Sequence, residues 1–231
     1  MKKVIFVILL TTSFLGFTQN DKIKIDIHGG ANFSKLRGYE IPEGFNQYYS
    51  ERPGFAFMGG IGFEKKLAPR LFARLELNYE RKRQNSDNII ELRHRAEDYP
   101  VEYNYIIRQD FNYLTLPVTL KYFLSEQNKF YFNGGVFLGY LINATAKTDN
   151  LPKIENFSDG TNKKDFTDSY KRIDFGATLG FGRNISLSEK HVIFTEIRAN
   201  IGLLKINNFV AWENGYNKTN SLNLIIGYHL N

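Results

Sequence analysis

The sequence predicts an all-β protein, an eight-stranded antiparallel up-and-down transmembrane β-barrel. Three observations support this prediction. Apolar and polar residues alternate with a period of two along most of the chain, eight such stretches can be counted, and the links between them are alternately short and long. Each stretch carries an apolar band comparable with the roughly 9–11 residues by which a tilted strand crosses a bilayer.

The composition excludes several other classes of protein. Of the 231 residues, 15% are aromatic, which is too high a fraction for a disordered chain. No stretch of about 20 apolar residues follows the N-terminal region, so a bundle of membrane helices is excluded. The absence of cysteine excludes a disulfide scaffold, a cysteine-ligated metal and a lipid-anchored lipoprotein.

The first 19 residues are predicted to be a cleaved signal peptide, and residues 20–231 are predicted to be the barrel domain. Lys2 and Lys3 form a basic start, and the apolar run that begins at Val4 is too short to cross a bilayer. Without these two lysines the net charge falls from +6 to +4. So small a charge gives no indication of a nucleic-acid partner, and none is expected.

The eight predicted strands each place apolar side chains on one face and polar or small side chains on the other. In the first strand, Ile25 and Ile27 alternate with Asp26 and His28. The apolar faces of the eight strands extend over residues 23–33, 55–63, 71–79, 114–122, 130–142, 173–181, 193–203 and 222–230. Pro117 lies inside the fourth strand, where it cannot donate a hydrogen bond, so we expect a bulge or a gap in the ladder there.

The links between the strands carry independent information. The second, fourth and sixth links are short, at residues 68–69, 125–128 and 186–190. The first, third, fifth and seventh are long and polar, at residues 37–53, 84–110, 147–170 and 207–218. Short turns on one side and long loops on the other are typical of an up-and-down meander through the outer membrane, and they place both termini on the periplasmic side.

Two features of the polar face predict that it lines the barrel interior while the apolar face contacts lipid. Glycine weakens an exposed strand, but it is frequent on this face and suits a crowded interior. Charged residues of both signs also lie there, and buried charges persist only as hydrogen-bonded pairs. We therefore expect a structural charge network formed by Glu64, Arg74, Glu76, Lys121, Asp174, Glu196 and Arg198. The alternative is a soluble barrel, which would turn the same apolar face inwards.

Five segments of the chain are similar to those of a known family. They are residues 27–36, 111–122, 134–141, 174–180 and 222–230, and their most specific motif is Tyr113-Leu114-Thr115-Leu116-Pro117. With these segments the chain resembles, from about residue 22 to residue 231, the outer-membrane β-barrel domain proteins of Bacteroidetes that are often called the PorT family. The resemblance implies an eight-stranded barrel in the outer membrane.

A search for reactive groups predicts no catalytic residues, no bound cofactor and no metal site, so the protein is not expected to be an enzyme. No motif places a nucleophile beside a base and an orienting acid. His28 and His229 lie on the first and last strands, which meet when the barrel closes, but no third metal ligand stands at a recognisable spacing. We expect these two residues to be a pair of interior histidines, each held by hydrogen bonds.

One basic stretch is a candidate contact for lipopolysaccharide or a partner. Arg81, Lys82 and Arg83, together with Arg93 and Arg95, are predicted at the outer rim of the barrel. Cations at this height hold lipid phosphates by charge-assisted hydrogen bonds. The alternative is a solvated loop whose positive charges are balanced by neighbouring acidic residues.

The leading functional hypothesis is a small outer-membrane barrel with a filled, charged interior, long extracellular loops and a structural or interaction role at the cell surface. An eight-stranded barrel has just enough interior room for its own side chains. The alternatives are a narrow outer-membrane pore and an accessory component of a secretion or gliding apparatus. The expected partners are outer-membrane lipid and lipopolysaccharide, with surface polysaccharide or protein as further candidates.

Overall fold

The structure is a computed structural model. It describes residues 23–38, 49–92, 101–125, 127, 129–149, 163–188, 191–208 and 216–230. The predicted signal peptide at residues 1–19 lies outside these ranges and stays a prediction. No helix within them is long and apolar enough to cross a membrane.

The described elements are nine strands and one short 3-10 helix. The strands are β1 (Lys24–Arg37), β2 (Tyr49–Ala68), β3 (Leu71–Leu92), β4 (Val101–Phe123), β5 (Phe130–Asp149), β6 (Lys163–Asp165), β7 (Ile173–Ser186), β8 (Val192–Gly202) and β9 (Lys218–Leu230). The 3-10 helix lies between β6 and β7 and spans Thr167–Ser169.

Eight of these strands close into an antiparallel ring in the order β1, β2, β3, β4, β5, β7, β8 and β9. The ring closes between β1 and β9, which pair from Ile25 opposite Leu230 to Arg37 opposite Lys218. The short β6 pairs with β5 beyond the end of β7. The prediction of an eight-stranded antiparallel up-and-down barrel is confirmed.

Two strands extend well past the predicted apolar band. The prediction of a long loop at residues 84–110 is wrong for most of this range, because β3 continues to Leu92 and β4 begins at Val101, and the two remain paired up to these residues. Outside the bilayer, polar side chains on the outer face are solvated by water while the backbone ladder continues. The polarity of this segment therefore marks the limit of lipid contact and not the end of the strands.

The expected irregularity at Pro117 is confirmed as a gap in the ladder. β4 pairs with β3 at Thr115 and again at Val118, but not at the two residues between them. On the side of β5, Pro117 lies opposite Phe137 with no shift of register. The gap therefore affects one neighbour, as expected for a residue that lacks a backbone N–H.

The apolar faces of the barrel strands point outwards and the polar faces point inwards, as predicted. On β3, Leu75 and Leu77 are 39% and 46% exposed, whereas Arg74 and Glu76 are each 1% exposed. On β8, Ile197 is exposed in the same way. A continuous exposed belt of large apolar side chains is favourable against acyl chains and unfavourable in water. The belt is therefore the lipid-facing surface.

Replacement of Val118 by arginine is expected to destabilise the barrel by about 2–4 kcal/mol, because Val118 faces outwards in the middle of the apolar band. The matched change at Leu124, an exposed residue just after β4, is expected to cost about 0–1 kcal/mol. Urea unfolding in lipid vesicles, followed by the gel mobility of unheated samples, measures both. Equal losses at the two depths would contradict the lipid-facing assignment.

Candidate functional site

Seven buried charged side chains meet inside the barrel, and we call them the ionic cluster. They extend inwards from β1, β2, β3, β4 and β8, and none is more than 3% exposed. The members of the ionic cluster are Asp26, Glu64, Arg74, Glu76, Lys121, Glu196 and Arg198. Six of them belong to the charge network that the sequence predicts.

Glu76 lies at the centre of the ionic cluster because two guanidinium groups share it. Arg198 donates to it in a bidentate manner, with Nη1 2.7 Å from Oε2 and Nη2 2.8 Å from Oε1. The Nε of Arg74 donates to the same carboxylate over 2.6 Å. Arg198 also donates from Nε to Glu196 over 2.5 Å, and Tyr131 donates its hydroxyl to the other oxygen of Glu196 over 2.9 Å. Charge-assisted bonds of this kind are about twice as strong as neutral ones.

The remaining members extend the ionic cluster towards β1 and β4. The Nζ of Lys121 lies 2.8 Å from a carboxylate oxygen of Glu64, and Nη2 of Arg74 lies 3.0 Å from one of Asp26. The guanidinium of Arg74 also stacks 4.8 Å from the ring centre of Phe194. These contacts join strands that are not neighbours in the ring, so the ionic cluster ties the barrel wall together across its interior.

Asp26 is an interior charged residue that the predicted network omitted, and it bonds to His28. Both histidines are buried in the interior, as expected, but His28 bonds to other residues: its Nδ1 lies 2.8 Å from Asp26 Oδ1, and its Nε2 lies 2.8 Å from Asn78 Oδ1. The register between β1 and β9 explains this, because Gly227 is opposite His28 and Asp26 is opposite His229. Asp26 occupies a polar-face position of β1, so the period-two alternation contained the signal for including it.

Asp174 belongs to the predicted network but lies apart from the ionic cluster. Its Oδ2 accepts a hydrogen bond from Thr219 Oγ1 over 2.6 Å and lies 3.3 Å from Lys82 Nζ. Lys82 also lies over the rings of Tyr113 and Phe137, about 5 Å from each centre. The interior therefore contains a second, smaller charged group nearer to the end of the barrel that carries the long links.

Apolar and aromatic side chains fill both ends of the barrel interior. At the short-turn end, Phe72, Phe123 and Tyr131 form one buried cluster. At the long-link end a larger one consists of Leu36, Phe111, Tyr113, Leu141, Ala144, Tyr170 and Ile206. The segment between β5 and β7 supplies part of it, with Phe166 packed against the cluster and its backbone N–H donating to Ala144 O over 3.1 Å.

The structure divides the predicted basic stretch between the two faces of β3. Arg81 and Arg83 lie on the outer face, but Lys82 is 2% exposed and points into the barrel, so its predicted place at the outer rim is wrong. The strand continues through these residues, and its period of two separates adjacent side chains. Arg93 and Arg95 lie outside the described residues.

A cleft of about 360 Å³ lies on the outer wall beside Arg81 and Arg83, and we call it the outer-wall cleft. Residues of β3, β4, β5 and β6 line it, and they include Tyr79 and five cations, Arg81, Arg83, Arg108, Lys147 and Lys163. Asp149 lies at its edge, 2.9 Å from Lys147 Nζ, and the hydrogen bond from this lysine lowers the pKa of Asp149 below its ordinary value. The arrangement is a concave, mainly cationic surface suited to an anion.

Comparisons with known proteins agree with this architecture. Residues 17–208 match the model of a family described as outer membrane protein beta-barrel domain. No protein with a curated function matches the sequence.

Several solved structures are similar to this chain at low identity. Ail, the attachment invasion locus protein of Yersinia pestis, in complex with the heparin analogue sucrose octasulfate, is 12% identical, with a TM-score of 0.43 over 92% of this chain and 100% of that one. Neisserial surface protein A is 11% identical, with a TM-score of 0.42 over 92% and 99% of the two chains. OprG from Pseudomonas aeruginosa is 13% identical, with a TM-score of 0.42 over 91% and 97%.

Similarities at this level give no basis for transferring a function. The family match covers most of the chain and agrees with the closed eight-stranded ring and its apolar outer belt. This chain therefore belongs to the outer membrane protein beta-barrel domain family and is an integral protein of the outer membrane.

Proposed function

We propose that this protein is a non-conducting outer-membrane barrel with a structural or interaction role at the cell surface, and that it is not an enzyme. The observation that carries the proposal is the filled interior. The ionic cluster occupies the middle of the barrel, and buried apolar clusters occupy both ends. A barrel whose lumen is occupied by bonded side chains offers no continuous water path.

The interior glycines, which motivate the alternative of a narrow pore, do not favour it. A β-carbon added at Gly182 would overlap the ring of Tyr131, and one added at Gly227 would overlap the ring of Phe194. These glycines therefore make room for large side chains from neighbouring strands. The space that they leave is used for packing.

We further propose that the long-link end faces the extracellular side and that both termini are periplasmic. β1 begins and β9 ends beside each other, with Ile25 opposite Leu230, at the end of the barrel that carries the turn after Ala68. Short periplasmic turns are typical of outer-membrane barrels. The surface available for lipid, lipopolysaccharide, polysaccharide or protein partners is then the opposite end and the wall just below it.

Planar-bilayer recording of the purified barrel is expected to show no steady conductance step. A porin of known conductance, reconstituted in the same bilayers, serves as the positive control. The gel mobility of the unheated sample shows whether the recorded protein is folded. A steady single-channel step from folded protein would reject the non-conducting barrel and favour the narrow pore.

A further inference from the structure

We propose that the outer-wall cleft binds the phosphorylated saccharide headgroup of a glycolipid in the outer leaflet, with the acyl chains of that lipid lying against the wall below. The proposal rests on the proposed role of the barrel as a surface interaction protein. It goes further by naming the binding site, the chemical class of the ligand and the residues that hold it.

The first argument is the excess of positive charge in the outer-wall cleft. Five cationic side chains line it, and one carboxylate in the lining and one at its edge partly neutralise them. Asp110 makes a bidentate pair with Arg83, with distances of 2.5 and 2.8 Å, and Asp149 pairs with Arg108 over 3.1 Å and with Lys147. An excess of three positive charges matches one or two phosphate groups, which guanidinium and ammonium groups bind by charge-assisted hydrogen bonds.

The second argument is the direct opposition of two lysines. Lys147 of β5 and Lys163 of β6 are cross-strand partners, and both are exposed. Like charges placed directly opposite each other on a sheet are destabilising. Within the described part of the chain, no carboxylate lies within ion-pair distance of Lys163; the nearby Asp165 accepts hydrogen bonds from Thr167 instead. A bound phosphate would relieve this repulsion, so the cleft has an electrostatic reason to take up an anion.

The third argument is the fixed orientation of Arg81. Its Nε donates to Asn112 Oδ1 over 2.8 Å, and its guanidinium stacks 5.0 Å from the centre of the Phe57 ring. Asn112 is itself held by a hydrogen bond from the hydroxyl of Tyr79 and by its own donation to Asn143. Among the described residues no carboxylate pairs with Arg81. The side chain is therefore preorganised, and its charge is available to a ligand.

The fourth argument is the position of the cleft just beyond the apolar belt, which favours a lipid over a soluble anion. The outward-facing side chains of β3 are, in chain order, Leu75, Leu77, Tyr79 and Arg81. The first cation, Arg81, therefore lies about 7 Å further along the strand than Tyr79. On β4, Leu114 is exposed immediately below Asn112. A ligand with charged groups in the cleft would have its apolar part against this belt. That arrangement matches a phosphorylated lipid, whose two ends are covalently linked.

The test measures binding of three probes to the purified full barrel in nanodiscs or detergent. The probes are bisphosphorylated lipid A, the same lipid with both phosphates removed, and inorganic phosphate. We expect lipid A to bind, and the dephosphorylated lipid to bind at least about tenfold more weakly, since one lost charge-assisted contact is of that size. Inorganic phosphate at the lipid concentration is expected to show no measurable binding.

The variant for this test is Arg81→Gln combined with Lys163→Gln, because neither cation pairs with a carboxylate in the described part of the chain. Its affinity for lipid A is expected to fall at least about tenfold. The matched control is Lys129→Gln with Arg183→Gln, two exposed cations at the opposite rim, and its affinity is expected to stay unchanged. The gel mobility of the unheated variants confirms that each is folded.

Three results with the lipid probes would overturn the inference, and a fourth concerns inorganic phosphate. The first three are equal binding of the two lipids, unchanged lipid A affinity in the cleft variant, and an equal loss in the control variant. Tight binding of inorganic phosphate would reject a lipid as the ligand. Conductance of the same samples separates this inference from the proposed function. A non-conducting barrel that does not bind lipid A as expected contradicts the inference alone. A conducting barrel that does bind it as expected contradicts the proposed function alone.

Discussion

Replacement of Arg198 by methionine is expected to lower the free energy of unfolding by about 3–5 kcal/mol. The guanidinium of Arg198 makes two hydrogen bonds to Glu76 and one to Glu196, and all three residues are buried. Without it, two buried carboxylates lose a cation that is bonded to both of them. Removal of one partner from a buried ion pair costs far more than removal of both, because the remaining charge is left unpaired.

The control for this prediction is Arg183→Met, which removes an exposed arginine at the short-turn rim that stacks over the ring of Phe130, and it is expected to change stability by no more than about 1 kcal/mol. Addition of Glu196→Gln to Arg198→Met is expected to restore about 1 kcal/mol or more, since one unpaired carboxylate is removed. Urea unfolding followed on unheated gels measures all three variants. If Arg198→Met unfolds at the same urea concentration as the control, the ionic cluster does not stabilise the barrel.

The second large effect is expected at Gly30, where alanine should destabilise the barrel by about 3 kcal/mol. Gly30 lies opposite Ile225 in the seam between β1 and β9, and a β-carbon there would overlap the carbonyl oxygen of Leu224. The obstacle is backbone, which cannot rotate away as a side chain does. The two strands that close the ring would therefore have to separate.

The neighbouring glycine provides a matched control for this prediction. A β-carbon at Gly29 would meet its nearest neighbour, Met58 O, at 3.6 Å, which is ordinary van der Waals contact. Gly29→Ala is therefore expected to leave the stability within about 0.5 kcal/mol of the unmodified chain. The fraction of chain that refolds into the fast-migrating form on an unheated gel distinguishes the two. Equal refolding of both variants would show that the close approach at Gly30 is not a constraint on closure.

Much of the fold could be predicted because its main signal is local. Residues 71–79 alternate between an apolar and a polar face, and that alternation depends only on the geometry of an extended chain. The orientation of the faces is predictable because the polar face carries charges of both signs, such as Arg74 and Glu76, which can be buried as hydrogen-bonded pairs. The limits of β3 and β4 were not predictable in the same way, because a strand outside the bilayer can carry polar residues on both faces.

The partners of the interior residues could not be predicted, because they depend on which strands face each other across the barrel. Glu76 and Arg198 are 122 positions apart in the chain. The arginines on either side of Lys82 predict a place at the rim, whereas the period-two alternation of β3 points Lys82 inwards to Asp174. The outer-wall cleft combines four strands, and its opposed Lys147 and Lys163 depend on β6, a three-residue strand with no alternation to reveal it.

The sequence by itself determined that eight strands cross a membrane with apolar side chains outwards, because strand geometry and the free energy of burial act on each segment separately. Only the tertiary structure decided which charges pair, which apolar side chains fill the two ends of the interior and where cations gather on the outer wall. Those contacts depend on the register and curvature of the closed ring, and these arise from all eight strands together.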